Sequence, residues 1–192
     1  MATEQPEFRS VERTEGFEVR DYGEVVVAET TVEARQLEAG NEGFRRLAGY
    51  IFGGNRGEQR IAMTAPVNQT AGTVLERQGP TTQTRTQENR WLVQFTMPRG
   101  FTVESLPEPN DPRVTLRAIP ARRVAVRQYS GRWTDTQYLK ELTALRAALA
   151  RAGYRAKGEP TWARYDPPFM PFFLRTNEVQ LEVEGGPATA AK

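Results

Sequence analysis

The order of apolar patterns along this chain runs through the same course twice, and that duplication constrains the fold more than any single motif. Over residues 17–22 and 25–32, apolar and polar side chains alternate with the period of two that half-buries a strand, and Gly23 between them reads as a hairpin turn. After Gly40 the period changes. Asn41 suits an N-cap, and Phe44, Leu47, Ala48 and Ile51 fall on one face of a helix that stops at Gly53-Gly54. Strand-like stretches follow at 61–67, near Val74 and at 91–97, and the polar stretch 78–90 reads as a hairpin tip.

Beyond the rigid connector Pro107-Glu-Pro-Asn-Asp-Pro112 the same order restarts. Residues 114–119 and 123–129 alternate around a Pro120 turn. A helix follows, opened by a Thr134-x-x-Gln137 capping box, striped with Tyr138, Leu142, Leu145 and Leu149, and closed at Gly153. Strands at 161–165 and 178–183 complete the second half. The pattern predicts an α+β fold of two β-β-α-β-β repeats, about 16–98 and 113–184, whose strands pair into a distorted, mostly antiparallel β-barrel flanked by two helices. Together they make one domain over 12–184, with a flexible N-terminus at 1–11 and a disordered tail at 185–192. A chain of 192 residues buries roughly 70% of its unfolded surface, so such a core needs no disulfide.

Composition excludes several chemistries. Without histidine there is no imidazole base, no Ser-His-Asp arrangement and no imidazole metal ligand. Without cysteine there is no thiolate nucleophile or thiolate metal site. Only three of the 26 basic residues are lysine, yet the net charge is only +2 and the arginines are scattered, which argues against nucleic-acid binding. The Gly53-Gly-Asn-Arg-Gly57 run follows a helix instead of opening one, so it reads as a helix stop and not a phosphate loop. No stretch approaches the roughly 18 apolar residues of a membrane span, and the first residues lack a leader's basic and apolar regions. The expectation is a cytoplasmic protein, or a periplasmic or secreted one if a leader has been removed.

Three groups of side chains stand out. The face of Phe44, Leu47, Ala48 and Ile51 is either core or the wall of a cleft. The segment 165–174 carries four aromatics, Met170 and three prolines, which fits a rigid apolar loop over a cavity better than a strand. Glu178, opening the last strand, is either a ladder glutamate or a carboxylate turned into an apolar pocket.

In the order and spacing of Phe17-Glu-Val-Arg-Asp-Tyr22, Tyr50-Ile-Phe-Gly-Gly-Asn55, Ile61-Ala-Met-Thr-Ala-Pro-Val67, Val124-Ala-Val126, Tyr129-Ser-Gly131, Tyr165-Asp-Pro-Pro168 and Asn177-Glu-Val179, the chain resembles the SOUL haem-binding protein family. The resemblance implies a carrier or buffer for haem or a related tetrapyrrole, bound between the first helix and the loop before the last strand. Here those elements carry Phe44, Arg45, Leu47, Ala48 and Ile51 on one side and Tyr165, Phe169 and Met170 on the other. The chain departs from relatives that ligate iron through histidine, so the axial ligand would be Met63, Met170, a tyrosine, or none. Positions that are basic in relatives fall at Asn41, Gly49 and Met170, leaving Arg45 or Arg46 for the propionates. A similarity of fold to gyrase-inhibitor-like effector-binding domains implies a different use, a small-molecule or hydrolase-like cleft between the repeats with Glu178 as its carboxylate and Tyr129, Tyr165 or Trp162 around it. A third use offers the helical stripe from 138 to 149 to a protein partner.

Overall fold

The computed structural model describes residues 4–71, 89–166 and 170–186. Its elements are β1 (Phe8–Arg13), β2 (Glu18–Tyr22), β3 (Val25–Glu33), α1 (Gln36–Ile51), β4 (Val67–Ala71), β5 (Arg90–Thr96), β6 (Thr115–Ile119), β7 (Arg122–Tyr129), α2 (Asp135–Arg151), β8 (Tyr154–Arg164), a single 3-10 turn (Phe172–Leu174) and β9 (Asn177–Gly185). Residues 8–11, expected in a flexible N-terminus, form most of β1. The strand expected near Val74, most of the expected hairpin tip and the tail beyond 186 lie outside the described residues.

All nine strands make one sheet in the order β1-β2-β7-β9-β8-β4-β5-β3-β6, with antiparallel pairing throughout. The sheet ends at β1 and β6 and does not close on itself, which corrects the expected barrel. Leaving β1 aside, the order reads symmetrically about the β8–β4 pair when β2-β3-α1-β4-β5 is matched with β6-β7-α2-β8-β9.

Neither expected hairpin forms. Gly23-Glu24 and Pro120-Ala121 are corners at which the chain changes neighbours: β2 pairs with β7 while β3 pairs with β6. The other edge of β2 is taken by β1 and that of β3 by β5, so both strands are flanked on each side without a local hairpin. Pro120, which has no N–H to give a ladder, stands in the corner and outside both strands.

Alternation along the strands sorts side chains onto two faces. On the helix face, α2 buries Tyr138, Leu142, Leu145 and Leu149 against Val19, Ala125, Trp162, Val179 and Leu181. Its expected cap is present, with Thr134 accepting from the Gln137 backbone N–H at 3.3 Å. Helix α1 buries Leu47, Tyr50 and Ile51 against Ala28, Val93 and Phe95. It starts at Gln36, five residues before the expected cap, so Gly40 and Asn41 are helical. Packing explains the difference. A Cβ on Gly43 would lie 2.5 Å from Val93, and one on Gly40 would lie 2.8 Å from Arg164 and Gln69, so these glycines let the helix lie close to the sheet despite their poor helix propensity.

The opposite face is polar. Glu18, Arg20 and Tyr22 on β2 stand there with Glu178 and Gln180 on β9 and Asn68 on β4, and Gln94 donates to Glu29, which also pairs with Arg117. No helix among the described residues is long and apolar enough to cross a membrane.

Candidate functional site

Between the N-terminal half of α1 and the end of β8, an apolar cleft of about 450 Å³ opens on the helix face. That volume falls within the range of roughly 300–1,000 Å³ usual for small-molecule sites. Its walls are Phe44 and Arg45 from α1, Met63 and Ala65 from the segment before β4, Val67 from β4, and Trp133, Arg164 and Tyr165 from the second half. Phe44 is 38% exposed and packs edge-on against Phe95, ring centroids 5.4 Å apart, so it bridges the core and the cleft.

Of the residues singled out from sequence, Phe44, Arg45, Met63 and Tyr165 meet in this cleft. Leu47 and Ile51 do not line it. One and two turns further along α1, they point into the sheet and are fully buried there. Ala48 is half-buried beside them. Met170 is half-buried outside the cleft lining, and its carbonyl accepts from Arg175 Nε at 2.7 Å. Phe169 lies outside the described residues. Arg46 is turned away from the cleft, bonded to Glu42 and to the Thr31 carbonyl.

Two cleft residues were not anticipated. Trp133 precedes the cap of α2, outside the helical stripe that drew attention to that region. Its Nε1 donates to Asn177 Oδ1 at 2.7 Å, and the guanidinium groups of Arg164 and Arg175 lie 4.6 and 4.3 Å from its ring centroid. Arg164 ends β8, and its Nη2 donates to Gln69 Oε1 and the Tyr138 hydroxyl, both at 2.9 Å. Its buried Nε has no hydrogen-bond partner. The available signal was the period of two along β8, which puts Arg164 on the same face as Trp162.

Glu178 is buried, but not in an apolar pocket. Its carboxylate accepts from Arg20 Nη1 at 3.0 Å, from the Tyr165 hydroxyl at 2.8 Å and from Gln180 Nε2 at 2.8 Å. Arg20 in turn donates to Glu18 at 2.7 Å. Burial alone would lower the Arg20 pKa, but Glu178 and then Tyr22 and Glu18 hold it above the usual arginine value. Burial alone would raise the Glu18 pKa, and hydrogen bonds from Arg13, Ser10 and Arg20 bring it down instead to about 2. Burial and Glu178 both push the Tyr165 phenol up, which keeps it protonated as a donor.

The sheet register separates the other residues of the hydrolase-like reading. Ala163 is opposite Glu178 and Trp162 opposite Val179, so Trp162 faces α2, stacked on Tyr138 at 4.6 Å, on the other side of the sheet from Glu178. Tyr129 is buried in the same helix-face core. Among the described residues no cluster of three or more carboxylates is placed to hold a metal ion.

The model of a family described as SOUL heme-binding protein matches residues 3–182, nearly the whole chain. No curated protein matches the sequence. Among solved structures, the C-terminal domain of EcmrR superposes with a TM-score of 0.63 at 12% identity, covering 92% of this chain and 98% of that one. A hydrolase from Listeria innocua superposes with a TM-score of 0.58 at 10% identity, covering 88% and 91%. At such identities the likeness is one of fold.

Proposed function

The chain belongs to the SOUL haem-binding protein family, and from that premise we propose that it binds haem or a related tetrapyrrole in the helix-face cleft, as a carrier or buffer and not a catalyst. The observation that carries the reading is the chemistry of the cleft wall. A flat apolar macrocycle needs aromatic and aliphatic surface with a few charges at its edge. Phe44, Ala65, Val67 and Trp133 supply the surface, with Tyr165 at its border, and Arg45 and Arg164 supply the charge.

The donor set fits the porphyrin better than the iron. The Met63 thioether is the one sulfur in the cleft lining, and the Tyr165 hydroxyl is committed to Glu178 and held protonated. Arg164 suits a propionate. It makes no ion pair among the described residues, and its buried Nε lacks a partner, so a carboxylate there would satisfy both charge and hydrogen bond. Arg45 is exposed and already paired with Glu42 at 3.0 Å, a contact that a competing carboxylate can displace. Bound haem would supply redox-active iron, while these residues would hold mainly the ring and its acid groups.

The second reading, a hydrolase-like cleft built on Glu178, has less support. Arg20, Tyr165 and Gln180 occupy the carboxylate that such chemistry would need free.

Iron-free protoporphyrin IX tests the proposal against iron-centred binding. The expected result is saturable quenching of tryptophan fluorescence, with an affinity within about tenfold of that for haemin. Met63→Leu should leave protoporphyrin binding unchanged. Haemin binding with no measurable protoporphyrin binding would show that the iron, and not the apolar wall, holds the ligand.

A further inference from the structure

On the face away from the helices, Arg122 at the start of β7 is a cation with no carboxylate bonded to it among the described residues. On that face Glu18 is bonded to Arg13 and Arg20, and Glu178 to Arg20. Arg122 makes no ion pair among the described residues, and its Nη1 is buried without a hydrogen-bond partner. Its guanidinium lies 5.7 Å from the centroid of the Tyr22 ring. The ionised side chains that act on it through space are Glu182 and Arg117, with opposite effects. Glu182 is exposed, and Arg117 is itself paired with Glu29. Burial outweighs both and lowers the Arg122 pKa, as expected of a dehydrated cation.

Beside Arg122 is a cavity of about 20 Å³, room for one particle of roughly water size. Tyr22, Asn68 and Gln180 line it from the sheet, with Pro6 and Phe8 on the N-terminal side. Alternation along β4 turns Val67 to the helix-face cleft and Asn68 to this cavity. Asn68 Oδ1 is also buried without a partner. Rotating the carboxamide by half a turn would present its N–H₂ to the cavity. Phe8 covers the site from β1, its ring 5.5 Å from Tyr22 and under the Arg20 guanidinium at 4.3 Å.

We propose that this cavity binds one small inorganic anion of chloride size, held by Arg122 and the Asn68 amide beneath Phe8. The alternative occupant is a water molecule, which would satisfy Nη1 and the amide but leave the half-buried charge without a counter-ion. Charge is what separates the two. A guanidinium with a buried N–H group is ordinarily paired there, and an anion is the particle that both fits the volume and completes the pairing.

The test uses the protein without tetrapyrrole, so its outcome does not depend on whether the cleft on the other face, with which the cavity shares Tyr165, binds one. Chloride replaces gluconate, which exceeds the cavity, at fixed ionic strength, and thermal unfolding is followed by tryptophan fluorescence. The wild type should show a saturable rise in Tm of about 2 °C or more. Arg122→Gln removes the charge and Asn68→Asp supplies a built-in counter-charge. Each variant, once circular dichroism shows it folded, should lose the saturable rise. Crystals grown in bromide should show an anomalous peak within hydrogen-bond reach of Arg122 Nη1. The same chloride response in all three proteins, no response in the wild type, or water alone at that position would overturn the proposal.

Discussion

The Tyr165 hydroxyl donates to Glu178 Oε2 at 2.8 Å, and the same residue borders both the helix-face cleft and the cavity on the opposite face. One residue thus borders the cleft on one face and supplies a hydrogen bond to the buried polar network on the other. The two contributions separate by substitution. Tyr165→Phe keeps the ring and should cost about 1–2 kcal/mol in urea unfolding while leaving tetrapyrrole affinity unchanged. Tyr165→Ala should lower both.

Glu178→Gln asks whether the carboxylate serves structure or ligand. Arg20 would lose its partner at 3.0 Å and keep Glu18 at 2.7 Å, so the loss should fall toward the lower end for a broken buried pair, about 3 kcal/mol. Tetrapyrrole affinity should stay within about twofold, because the cleft and the carboxylate lie on opposite faces. A folded variant whose only defect is loss of a hydrolytic activity present in the wild type would favour the Glu178 reading instead.

Acid should weaken the fold through Glu18. Its pKa falls from the ordinary 4.5 to about 2 on folding, so between those values the unfolded chain binds more protons than the folded one. The stabilisation, about 3 kcal/mol, is full above pH 4.5 and is lost as pH falls toward 2. Asp21 and Asp111, also depressed by arginine partners, act in the same direction. Urea unfolding at pH 5 and pH 3 should show a steeper loss for the wild type than for Glu18→Gln.

Gly43→Ala sets helix propensity against packing. Alanine would favour an isolated helix by about 1 kcal/mol, but its Cβ would meet the branched Val93 side chain at 2.5 Å. The clash should win, with a net loss of about 1–3 kcal/mol, and pairing it with Val93→Ala should recover part of that loss.

Local patterns in the sequence carried the elements well and their partners poorly. The stripe of α2 and its Thr134 cap were legible because helix signals are local, and so was the strand expected at 91–97. The corners at Gly23 and Pro120 were not. Two alternating runs joined by two residues look like a hairpin whether or not they pair, and the exchange of β2 and β3 between β7 and β6 depends on the other half of the chain. Gly40 looked like a helix boundary because its contact with Arg164 is invisible from sequence. Phe44, Met63 and Tyr165 were legible as cleft residues through the family resemblance. Trp133 lies in no motif, and Arg164 lies in the stretch from Trp162 to Phe169, whose place beside a pocket was legible while the role of this one side chain was not.

The central claim places a tetrapyrrole against Phe44. Titration of haemin into the wild type and Phe44→Glu, followed at the Soret band, tests it most directly. The account predicts saturable binding by the wild type and an affinity at least about tenfold lower in the variant, because its carboxylate would be dehydrated against an apolar ring. Equal affinity in the two folded proteins, or no saturable binding by the wild type, would contradict it.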